Sequence, residues 1–363
     1  IDDDWDIIEF AKQLQNLAGG KVQFETIPVL DINGMTVPLT TFSAGTNGLF
    51  YQQIIIDLPA LTEREQTLLP FYTTLISELG AGDSDYLAMQ QWQSRVSGGV
   101  RMGLSMRTSL DSNRQALAHL VVSCKALHYH TDSFSLVRTT LEQLRFDEGE
   151  RVQDLLAQRK ARFEASITDS GHALAMQAAS HSMSAQAQLE YRISGLPALR
   201  TLRELVTESQ GAEGIAALLG ELQAMHQKVL AAPRQLLLIA EKERLATLMT
   251  ALQQAWADAI IPVGTAVGRV QTTTDAQVTH IAWLANTQVQ FCAAAYPAVA
   301  IDHDDAPALM VLGVARTALY AYWVPIFGVL FAVLLLLGEP LTVWHGVGLA
   351  AVLGGTWLGT RSH

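Results

Sequence analysis

Apolar residues recur at Ile7, Ile8, Phe10, Ala11, Leu14 and Leu17, a helical spacing closed by Gly19-Gly20. Two strand-like runs follow, over 37–42 and 49–58, with "AGTNG" between them. Asn47-Gly48 supplies the positive φ of a tight turn, so the two runs are predicted to form a hairpin. "LTEREQTLLPFYTTLISELG" then reads as an amphipathic helix with Thr62 as N-cap and Glu65 three residues on, a capping box. A second helix is predicted over 85–96 and is broken by Gly98-Gly99. "VRMGLSMRTSL" alternates as a strand, and "ALAHLVVSCKALHYH" as another beside it.

The helical period returns over 148–191, with a break near Ser170-Gly171, and Gly195-Leu196-Pro197 opens a further helix. "AEGIAALLGELQAMHQKVLAA" is one more helix, "RQLLLIA" a short strand, "EKERLATLMTALQQAWADA" a helix and "TQVQFCAAAYPAV" again strand-like. This order predicts an α+β fold, an antiparallel sheet covered by helices on one face.

The chain of 363 residues has room for about two domains of ordinary size. Its net charge of −11 argues against a nucleic-acid partner, which would want a basic face. Two cysteines, Cys124 and Cys292, cannot build a disulfide framework and point to a reducing compartment. Both lie in apolar runs and are expected to be buried structural thiols. The chain begins with Ile, and no signal-peptide pattern follows, so it reads as part of a longer product.

Four segments taken in order carry a resemblance: "GTNGLFYQQIIIDLPAL", "ISELGAGDSDYLAMQQWQSRVSGGV", "RVQDLLAQRKARFEASITDSGHALAMQAAS" and "QVQFCAAAYPAVAIDHDDAPALMVLG". Together they resemble the second half of the presequence-protease branch of pitrilysin-type zinc metallopeptidases, from about Ile7 to Gly313. The resemblance implies an interhalf linker over 1–36, a third peptidase-like domain over 37–271 and the start of a fourth over 272–313. It also implies a chamber that encloses unfolded peptides and cuts them with zinc. That chemistry needs an H-x-x-E-H motif, whose two histidines and a distal carboxylate hold the ion while the glutamate activates water. None of the ten histidines here begins such a motif. No catalytic, metal or cofactor residue is therefore assigned, and zinc belongs to the parent family alone.

After Gly313 the chain becomes aromatic and apolar. Residues 319–337 carry no charge, Gly338-Glu339-Pro340 makes a break, and 341–358 is a second apolar run rich in glycine. This resembles the last two helices of EamA-like drug/metabolite transporters and predicts a transmembrane hairpin over 314–363, fused near Gly313. Arg316 and Arg361 would place both its ends, and the main domain, on the cytoplasmic side.

Other candidate residues have plainer readings. His128, His130 and Asp132 would share one side of a strand as a metal cluster, or simply be a solvated strand end. Asp169, Ser170 and His172 suggest nucleophile chemistry, against which stands a helix break with capping residues. His172 and His181 do not share a helical face. His303, Asp304 and Asp305 read as a helix N-terminus, Gly98-Gly99 as a turn and not a phosphate loop, and Glu339 as an interfacial loop residue.

The resulting expectation is the non-catalytic half of a peptide-degrading zinc metalloendopeptidase, inactive alone. Its partners would be an N-terminal half carrying the zinc site, unfolded peptides, and a membrane through the hairpin. The alternatives are a membrane-tethered scaffold module and the complementing half of a split enzyme.

Overall fold

The computed structural model describes residues 24–32, 35–108 and 114–257, with 259, 262, 268–271, 280–284 and 290–295. The chain divides into two compact units at 296/297, and all described residues belong to the first. Within it the strands are β1 (Phe24–Ile32), β2 (Met35–Ser43), β3 (Leu49–Asp57), β4 (Val100–Thr108), β5 (Gln115–Leu127), β6 (Arg234–Ala240) and β7 (Arg269–Gln271). They form one sheet in the order β1-β2-β6-β3-β5-β4, with β7 pairing the start of β5.

The pairing corrects the predicted hairpin. Asn47 and Gly48 do adopt positive φ, 53° and 78°. The strands on either side of them do not pair with each other, because β6 inserts between them. It lies parallel to β2, with Leu39 beside Leu236, and antiparallel to β3, with Ile54 beside Leu236 on the other side. The insertion is locked at the turn, where Gly48 N–H donates to the Glu241 carboxylate at 3.0 Å and Ala44 N–H to the Ala240 carbonyl at 3.0 Å. All other strand pairs are antiparallel.

One face of the sheet is packed, and strand alternation shows it. Phe50, Ile54 and Ile56 of β3 and Leu120, Val122 and Ala126 of β5 are buried, while their neighbours in sequence are half-buried or exposed. The described helices are α1 (Glu63–Leu75), α2 (Tyr86–Val96), α3 (Asp132–Glu142), α4 (Gly149–Asp169), α5 (Gly171–Ser180), α6 (Ala185–Ser194), α7 (Leu196–Glu208), α8 (Gly211–Ala231) and α9 (Lys242–Ala255), of which α1, α3, α6 and α9 pack most on the strands. The predicted capping box starts α1: Thr62 Oγ1 accepts from Glu65 N–H at 3.2 Å, and a Glu65 carboxylate oxygen accepts from Thr62 N–H at 2.8 Å. Helix α3 buries Phe134, Leu136, Val137 and Leu141, each contributing about 1.5–3 kcal/mol of apolar burial, and Phe134 meets the Phe50 ring at 4.9 Å. The break near residue 170 is real, since α4 ends at Asp169 and α5 starts at Gly171.

Three further expectations change. The run read as a strand over 287–299 has no strand in its described part, 290–295. Cys124 is buried, but Cys292 is exposed. The α+β class stands, with one parallel pair, β2 and β6, in a sheet expected to be antiparallel, whereas the C-terminal transmembrane hairpin does not: no helix among the described residues is long and apolar enough to cross a membrane. Residues 314–363, on which the hairpin and the EamA-like fusion rest, lie outside the described residues, as do the opening helix and His303, Asp304, Asp305 and Glu339.

Candidate functional site

The segment "ISELGAGDSDY" shapes a loop that the fold stitches down from two sides. Glu148, at the start of α4, accepts from Gly80 N–H at 2.8 Å and from Tyr86 N–H at 2.9 Å, capping α2 from outside. Asp85 caps the same helix from within, accepting from Ala88 N–H at 2.8 Å. Gly82 N–H donates to the Gln143 carbonyl and Arg145 N–H to the Gly80 carbonyl. A Cβ on Gly80 would stand 2.5 Å from the Ser84 carbonyl oxygen, so the loop closes only around glycine. Asp85 and Glu148 thus hold backbone, while Glu78 pairs with the Arg151 guanidinium. They do not converge on a vacant point.

A second polar group is buried in the core. Tyr72 Oη and His226 Nδ1 are 2.8 Å apart, and Arg234 at the head of β6 lies beside them, 5% exposed. Burial, and then the Arg234 charge, hold the His226 imidazole down at about 4; the Leu141 backbone pulls weakly the other way. Its Nε2 makes no hydrogen bond with any described group. Burial likewise raises the Tyr72 phenol and lowers Arg234, whose guanidinium donates to the Leu230 carbonyl. The ring is a neutral core histidine joining α1 to α8. Sequence reading missed it; the available signal was His226 at one-turn spacing from Leu222 and beside Met225 and Val229, an apolar helix face.

The other face of the sheet is less buried by the described residues. Tyr51, Ile55, Val121, Leu237 and Ile239 lie on it, exposed or half-buried. His119 Nε2 and Asp57 Oδ1 face each other across β5 and β3 at 3.5 Å. Desolvation raises the Asp57 carboxyl against the lowering pull of His119 and the Gly268 backbone.

The sequence candidates do not assemble. Strand β5 ends at Leu127, so His128, His130 and Asp132 do not share a strand face. His128 Nδ1 lies 3.2 Å from the Gly48 carbonyl, His130 rests against the Tyr129 ring, and Asp132 begins α3. His172 is exposed on α5, and His181 Nδ1 turns to the Ala178 carbonyl at 2.8 Å. Gly98-Gly99 is the turn from α2 to β4, with Gly99 at φ 94°. Among the described residues no group of three His, Cys, Asp or Glu side chains is placed to hold a metal ion. With no H-x-x-E-H in the sequence either, the donors present do not fit the zinc centre that the resemblance implies.

Residues 14–205 match the family model of the associated domain of M16 peptidases, subfamily C, and the chain belongs to that family. Presequence protease 1, chloroplastic/mitochondrial, of Arabidopsis thaliana is 24% identical over 195 residues, covering 53% of this chain and 18% of that protein. Protein HypA of Clostridium perfringens is 24% identical over 203 residues, covering 51% of this chain and 21% of its own. A solved structure titled as the peptidase M16 inactive domain from Pseudomonas fluorescens is 17% identical and superposes with a TM-score of 0.41, over 68% of this chain and 53% of its own. That superposition is too loose to add to the assignment, which rests on the family match. The aligned part of this chain spans about a fifth of the length of these relatives. The chain is thus a pitrilysin-like member of the family associated with M16 peptidases.

Proposed function

We propose that this chain works as the non-catalytic wall of a peptide-degrading zinc metallopeptidase, completed by a separate half that carries H-x-x-E-H. One observation carries the reading: the family match spans 14–205 while no histidine in the chain starts the zinc motif. The division into a linker over 1–36, a third domain over 37–271 and a fourth beginning at 272 belongs to the same proposal. So do unfolded peptides as substrates, which the presequence proteases among its relatives support by name. A reducing, cytoplasmic setting is supported by two free cysteines. A sheet face of half-buried apolar side chains suits peptide contact without demanding one sequence.

Co-expression tests the proposal. The chain alone leaves an unfolded reporter peptide intact, and adding a half that bears H-x-x-E-H restores chelator-sensitive cleavage. Failure of several such halves to bind the chain would refute it.

A further inference from the structure

Basic residues gather around one strand of this acidic chain. From Tyr86 to Thr131 there are five, Arg95, Arg101, Arg107, Arg114 and Lys125, against one acidic residue, Asp111, although the whole chain has 24 basic and 35 acidic residues. Arg101 and Arg107 are exposed on β4, Lys125 is exposed on the neighbouring strand and Arg95 is exposed in the last turn of α2. None of these four makes an ion pair with a described residue.

Strand β4 is also the end of the sheet. It pairs with β5 from Val100 to Thr108, and no described strand pairs with its other edge. Nine residues of strand make an edge about 30 Å long; Val100 N–H donates to the Gln93 side chain at 3.3 Å, and from Arg101 to Thr108 no described residue outside β5 hydrogen-bonds the backbone. Gly103, near its middle, has no heavy atom within 4 Å of where a Cβ would stand, so a side chain from an added strand has room there. Helices α1 and α6 both reach the strand, and the hydrogen bond from α6 is at its far end, where the Thr108 hydroxyl donates to Gln186 Oε1 at 3.1 Å.

We infer that the outer edge of β4 receives an extended, acidic segment of a partner polypeptide as an additional antiparallel or parallel strand. Backbone pairing supplies the attachment, and the cations select the sign of the side chains. A second copy of this chain is the poorer occupant. Antiparallel pairing of two β4 strands about Leu104 would set Arg101 directly against Arg107, and like charges in that position repel. This inference does not depend on a zinc-bearing half, because edge and charge belong to this chain alone.

The test uses the full 363-residue chain. A labelled, end-blocked peptide alternating Glu and Thr is titrated with protein by fluorescence anisotropy, beside a Lys-Thr counterpart and two Glu-Thr versions N-methylated at alternate residues. The acidic peptide is expected to bind, the basic one not. One N-methylated version is expected to lose binding and the other to keep it, since alternate residues face the edge. The double variant R101E/R107E, with its circular dichroism and Tm unchanged, should weaken binding roughly tenfold. Equal binding of acidic and basic peptides would overturn the inference, as would two N-methylated versions that bind like the parent. So would a β4-dependent dimer that excludes the peptide.

Discussion

The buried imidazole of His226 gives the most quantitative handle on the core. Its pKa lies at about 4 in the fold against 6.5 for a free histidine, because burial and the Arg234 charge both oppose protonation. Tyr72 on α1, Arg234 on β6 and, further out, Glu142 at the end of α3 are the charged or titratable groups around it. As pH falls through 6.5, the unfolded chain takes up the proton first. Stability from this group is therefore whole above about pH 7.5 and is lost progressively down to about pH 4. At 1.36 kcal/mol per pKa unit the full loss is about 3 kcal/mol, of which about 2 kcal/mol is gone at pH 5. The assay is urea unfolding followed by far-ultraviolet circular dichroism at pH 7.5 and 5, for the parent chain and for His226→Gln. Other groups titrate equally in both proteins, so the difference in their pH dependence isolates the imidazole. The parent should lose about 2 kcal/mol more than the variant between the two pH values. Equal losses would refute the placement of a neutral, solvent-shielded His226 beside Arg234.

Two local devices give further outcomes. Glu148→Gln removes a charged acceptor from the amides of Gly80 and Tyr86 and should cost about 2–4 kcal/mol of unfolding free energy, while Gly80→Ala, which presses a Cβ on the Ser84 carbonyl, should cost about 1–3 kcal/mol. Urea midpoints check both, and an unchanged midpoint in either would mean the loop is not closed as described. Thr62→Ala opens the capping box of α1 and should cost about 1 kcal/mol, measured in the same way.

What the sequence disclosed was local. Thr62 and Glu65 form their cap, Gly98-Gly99 turns the chain and Ser170 separates two helices, because each depends on residues within one turn of itself. Pairing was not legible in the same way. Nothing near Asn47-Gly48 announces that β6, nearly two hundred residues later, will part the flanking strands. Strand β1 escaped notice because Pro28 interrupts its apolar run; the register of β1 on β2 shifts between Ile27 and Leu30, where the proline falls. His226 was hidden by its type, since a polar residue on an apolar face reads as solvent-facing until Tyr72 is seen beside it. The candidate surface was visible only as charge, Arg101 and Arg107 in an alternating run; that they sit on an outer strand comes from the sheet order.

The central claim is that this chain supplies architecture while the metal chemistry resides elsewhere. Zinc content and hydrolysis of an unfolded peptide, measured together on the purified chain after metal reconstitution, test it most directly. The account predicts no stoichiometric zinc and no cleavage; one tightly held zinc ion per chain, with hydrolysis abolished by a chelator, would contradict it.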